Sequence, residues 1–180
     1  MTQTQRDITA LYAVLPDNTA GDISPEDVRD IVETLRNGHG EMAITATAET
    51  TINNTVDYED IAGTFTLSAF DHNWDMNVNG QMRYIGPAHR ICHFAVSVSL
   101  TSASNNQTFR LRVAKNGVSI AASEIDTFIA TGADVSAFAL HAFTDVVTND
   151  FFTLEIRNST STGNVTAETC NFFVMDMGIA

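Results

Sequence analysis

Basic residues are scarce in this chain. Nine Lys and Arg stand against 22 Asp and Glu in 180 residues, a formal charge of −13. That balance leaves no cationic stripe to neutralise phosphates, so nucleic acid is not an expected partner. An anionic membrane surface is disfavoured for the same reason. Long hydrophobic runs are also missing: no stretch approaches the roughly 18 apolar residues that span a bilayer. The N-terminus, MTQTQRDITALYAV, lacks the basic start and apolar centre of a secretory signal. The Asn-x-Ser/Thr triplets at Asn53, Asn106, Asn158 and Asn164 therefore read as chance in a Thr- and Asn-rich chain. Cysteine is limited to Cys92 and Cys170, both inside apolar runs. Two buried thiols are expected, and sequence alone leaves a single disulfide open.

Catalytic constellations are equally thin. No serine lies in a Gly-x-Ser-x-Gly elbow. Gly38-His39-Gly40 is too short to cradle phosphate and no lysine follows it. The carboxylate pairs Glu26/Asp27 and Glu59/Asp60 are adjacent residues that do not face one cleft. His89 and His93 are four apart, but in a strand pattern rather than on a helix face. Asp71-His72 with Asp75 reads as solvated loop polarity. The expectation is a protein that is not an enzyme, with no cofactor and no metal site.

What remains is 44% apolar, only 17% charged, and rich in the Thr that strands favour. Residues 1–42 read as a helical segment. A first helix over 7–15 places Ile8, Leu11, Tyr12 and Leu15 along one stripe before Pro16 stops it. Ser24 then caps a second helix, with Pro25 at its first position and Asp27 three residues on. Val28, Ile31, Val32 and Leu35 form its apolar face, and Asn37-Gly38 ends it. Two such stripes need a further surface to cover them. Residues 43–57 are Thr- and Ala-rich without an evident core and read as an extended linker or an edge strand.

Residues 58–180 alternate in the two-residue period of strands. Asn79-Gly80 and Asn116-Gly117 mark tight turns. Over 90–100, Cys92, Phe94, Val96, Val98 and Leu100 share one face, while His93, Ala95, Ser97 and Ser99 share the other. Strands spaced by turns, with no helix between them, predict an all-β jelly-roll sandwich. Phe151-Phe152 and Phe172-Phe173 put rings on both faces of late strands. One ring of each pair fills the core. The others, Phe151 and Phe173 with Met175, are expected to meet neighbouring subunits unless the chain itself covers them.

The stretch DNTAGDISPEDVRDIVETL, and within it Ile23-Ser24-Pro25-Glu26-Asp27-Val28-Arg29, resembles the N-terminal segment of many bacteriophage head-fibre, tail-fibre and decoration proteins. RLRVAKNGVSI (110–120), the run over 150–177 and the strand over 94–100 resemble the phage version of the tumour-necrosis-factor/complement-C1q jelly roll. That resemblance implies a homotrimer packed through aromatic strand faces on a virion. No fibre shaft or internal repeat is visible. The expected role is therefore a capsid decoration (cement) protein on the capsid surface. It would be made in the bacterial cytoplasm, with the helical segment and its eight stripe residues anchored on major capsid protein. A small tail or head-fibre protein recognising a host glycan or receptor, through loops at 102–107 and 159–164, is the alternative.

Overall fold

The computed structural model describes residues 24–180. The predicted first helix, with Ile8, Leu11, Tyr12 and Leu15, lies outside the described residues. The second helix forms as α1 (Pro25–Leu35). Its start is a reciprocal capping box: Asp27 N donates to Ser24 Oγ at 3.1 Å, and Ser24 N donates to Asp27 Oδ2 at 2.9 Å.

The strands that follow are β1 (His39–Thr47), β2 (Glu49–Thr50), β3 (Glu59–Asp60), β4 (Gly63–Leu67), β5 (Trp74–Val78), β6 (Gln81–Tyr84) and β7 (Arg90–Ser102). The second half adds β8 (Gln107–Lys115), β9 (Val118–Ser119), β10 (Ile125–Ile129), β11 (Ser136–Val146), β12 (Phe151–Asn158) and β13 (Val165–Ile179). They build two antiparallel sheets. The first runs β11-β7-β13-β1-β4, with β2 added to β13. The second runs β10-β8-β12-β6-β5, with β3 added to β12 and β9 to β8. The turns expected at Asn79-Gly80 and Asn116-Gly117 close hairpins, and Asn116 and Gly117 both have positive φ, at 53° and 74°. That pair of values is what a tight turn matching the strand twist requires.

The core lies between the sheets. All five residues expected to share a face of β7, from Cys92 to Leu100, are buried, and Phe94 meets Phe152 of the opposite sheet at a centroid distance of 4.2 Å. Trp74 and Phe172 pack against Phe94 from either side. Removing one of these rings would cost about 3–5 kcal/mol.

The segment boundaries read from sequence need correction. The helical segment does not run to 42, and 43–57 is not a linker from its start. Strand β1 begins at His39 and lies inside the first sheet, hydrogen-bonded to β13 on one side and β4 on the other. Its core-facing residues are Gly40, Met42 and Ile44. Gly40 carries no side chain because a Cβ there would stand 2.8 Å from the Cβ of Trp74. A core position occupied by glycine erases the alternation that would have revealed the strand.

A buried ion pair fastens the junction between α1 and the sandwich. Arg90 Nε lies 3.1 Å from Asp176 Oδ2, and both side chains are almost wholly buried. Asp176 also accepts hydrogen bonds from the backbone N–H of Gly38 and Gly178, while its own N–H donates to the Gly38 carbonyl. With those extra donors the carboxylate is satisfied, which is the condition for a buried pair to be tolerated.

Candidate functional site

Each sheet turns one face inward and one outward, and the two outward faces differ in chemistry. On the first sheet, register fixes the outward rows. One row is Phe143, His93, Met175 and His39, from β11, β7, β13 and β1. The next is His141, Ala95, Phe173 and Glu41, and the one after is Ala139, Ser97, Asn171 and Ala43. Apart from Glu41, these three rows hold no Asp, Glu, Lys or Arg. Glu41 is itself occupied by a hydrogen bond from Asn171 Nδ2. Other acids stand at the margins: Glu49 accepts from Asn164 Nδ2, Glu168 accepts from Thr101 Oγ1, and Asp145 lies 3.4 Å from His89 and 3.6 Å from Lys115. Phe143 is 54% exposed and Met175 39%. His93 stacks on Phe143 at 4.6 Å with an interplanar angle of 21°, and His141 meets His93 edge-on at 5.7 Å. Small residues floor the groove between these rings, Ala95 and Ser97 on β7 and Ala139 on β11.

The outward face of the second sheet is laced with ion pairs. Arg83 bonds Asp75, Arg110 bonds Asp126, and Arg112 bonds Glu155, each through nitrogens 2.6–2.9 Å from carboxylate oxygens. Arg112 also lies over the Tyr58 ring at 3.5 Å, with Arg157 at 5.0 Å. Hydrogen bonding to Arg110 holds the Asp126 carboxyl below the usual range. The ion pairs make most of this face stable in water, although Phe128 of β10, in register with Thr108, is also 58% exposed on it.

The third feature is the stripe of α1. Val28, Val32 and Leu35 are 49%, 63% and 62% exposed, and Ile31 is half-buried. Asp30, by contrast, is buried. Among the described residues, Val28, Val32 and Leu35 therefore have little cover.

Of the predicted interface residues, Phe173 and Met175 lie together on the first sheet. Phe151 does not join them. It is in register with Arg83 on the second sheet, facing outward while Phe152 fills the core. Strands β12 and β13 belong to opposite sheets, so their outward residues point away from each other. Phe143, His93, His141, Ala95 and Ala139 were missed. A signal did exist for them, since a run of Ala, Ser and neutral rings on one strand face is conspicuous in a chain of charge −13.

The loops held as candidates for recognition are bound to each other. Gln107 Oε1 accepts from Asn158 Nδ2 and Ser161 Oγ, Ala103 N donates to the Asn164 carbonyl, and Thr108 N donates to Thr160 Oγ1. His89 and His93 are engaged separately, with Asp145 and with Phe143. Asp75 is held by Arg83, and Asp71 accepts from Glu41 N at 2.8 Å. Among the described residues no group of three or more His, Cys, Asp or Glu is placed to hold a metal ion.

No family model matches the sequence, and no curated protein matches it. Solved structures do match in fold. The globular domain of zebrafish complement 1qA protein aligns with a TM-score of 0.52 and 11% identity, over 81% of this chain and 100% of that one. Murine APRIL, crystallised at pH 5.0, aligns with a TM-score of 0.50 and 11% identity, over 76% of this chain and 98% of that one. The expected tumour-necrosis-factor/C1q-like jelly roll is therefore the fold of this chain.

Proposed function

We propose that this chain is a non-enzymatic structural protein that assembles as a homotrimer through the outward face of the first sheet, and that α1 anchors the trimer on a larger particle. The finer reading is a phage capsid decoration protein, with major capsid subunits beneath the anchor and the virion surface as its place. The observation that carries the trimer is the contrast between the two outward faces. Identical copies of charge −13 repel wherever acids meet acids. The first sheet offers a broad surface of rings, alanines and hydroxyls on which they can touch without that cost. The likeness to jelly rolls of the complement-C1q type is consistent with it.

The anchor reading draws on two features: the capped helix carrying Val28, Val32 and Leu35 in the open, and the resemblance of its sequence to phage virion proteins. A receptor-binding role has less support, since Gln107, Asn158 and Ser161 spend their polar atoms on one another.

Light scattering of the full chain tests the assembly. The expected mass is that of three copies, and Ala139→Asp, on an exposed position of β11 beside the His93–Phe143 stack, should give one copy with an unchanged melting temperature. A single-copy mass for the unsubstituted chain would overturn the proposal.

A further inference from the structure

The neutral face carries one kind of group whose charge is not fixed. His93 and His141 sit on adjacent strands with ring centroids 5.7 Å apart, and His39 lies in the same row as His93, beyond Met175. Histidine is the side chain whose ordinary titration falls between pH 5 and 8. We infer that the assembly face is a pH-sensitive interface, closed when His93 and His141 are neutral and forced open when they gain protons. The inference rests on the trimer reading above and adds a regulation to it.

The surroundings of the two rings decide the sign. His93 faces Phe143 and His141 on β11 and Met175 and Phe173 on β13. The nearest carboxylate in register is Asp145, one row beyond Phe143, and it is shared with His89 and Lys115. His141 faces Ala95, with Ala139 and Phe143 beside it on its own strand, and the one acid of its row, Glu41, stands three strands away on β1. Glu41 lies two strands from His93 on β1 and is engaged by Asn171. His39 differs, because it interacts electrostatically with the Asp71 carboxylate; its ring also lies 6.4 Å from His72. Burial raises the Asp71 carboxyl above the usual range, against the hydrogen bond from Glu41 N, so this group is a rival source of acid sensitivity.

A closed trimer brings six imidazoles, two from each copy, onto surfaces that exclude water. Protonating them there places like charges together without counterions, whereas a separated copy solvates each charge. Protons therefore bind the separated copy more tightly. By linkage the trimer is stable above the histidine range and loses stability as pH falls through it.

The test is light scattering of the full chain at about pH 7.5 and about pH 5.5, with return to the starting pH, alongside His141→Gln and the double variant His93→Gln/His141→Gln. The expected result is a three-copy mass at the higher pH and dissociation at the lower, with a dissociation constant raised about tenfold or more and restored on return. The single variant should show a weaker shift, and the double variant should stay trimeric at both values. A mass of three copies at both pH values for the unsubstituted chain would overturn the switch and leave the trimer standing. One copy at both values would overturn the trimer as well. Dissociation of the double variant in acid would assign the sensitivity elsewhere, Asp71 first, and refute the role of these two rings. Thermal melts of each variant establish that the sandwich has folded.

Discussion

Cys92 and Cys170 are both buried, and burial pushes each thiol up to about 12. They cannot pair. Cys92 is in register with Asp176 and Cys170 with Val98, so they stand six residues apart along neighbouring strands, about 20 Å by strand rise, far beyond disulfide reach. Near pH 8 the fraction present as reactive thiolate is then roughly a thousandfold below that of an ordinary cysteine. A disulfide reagent should modify native protein very slowly and denatured protein at once. Fast labelling of the folded chain would contradict the buried placement. The inward alternation of β7 was legible in sequence because every second residue from Cys92 to Leu100 is apolar. Whether its cysteine could reach Cys170 was not, since register between strands distant in sequence depends on tertiary pairing. The same gap explains Phe151. A doublet of phenylalanines says that both faces of a strand carry rings, but not which sheet receives the strand.

Among the elements, α1 was the most readable, because its start is written within four positions by Ser24, Pro25 and Asp27. The proposed anchor role makes a separable prediction. Replacing Val28, Val32 and Leu35 together by Asp should leave the melting temperature of the sandwich unchanged, since these side chains are exposed and outside the core. The same variant should lose binding to capsid particles in a sedimentation assay. Full retention on particles would remove the helix from the contact. Strand β1 was the least readable element. Gly40 faces the core with no side chain, and Ala43, Thr45 and Thr47 add no hydrophobic signal, so its membership in the first sheet rests on hydrogen bonds to β13 and β4. Local signals disclose hairpins and caps; a strand that pairs with residues more than a hundred positions away leaves little local trace.

At the scale of the molecule, charge is segregated rather than merely negative. In a chain of net charge −13, the second sheet holds Arg83, Arg110 and Arg112 in pairs with acids, and the first sheet is nearly neutral outside its margins. The two-sheet architecture follows from the strand alternation, but this segregation emerged only once strands were assigned to sheets. Its consequence is kinetic. Copies approaching one another feel repulsion long before any ring can touch, so the first encounter is the slow event. Salt shortens the range of that repulsion from about 30 Å at 0.01 M to about 8 Å at physiological strength. Mixing separated copies at increasing ionic strength should accelerate association while leaving the departure rate nearly constant, the reverse of what oppositely charged partners show. On the proposed assembly, single copies would persist in dilute surroundings and gather where ions are plentiful.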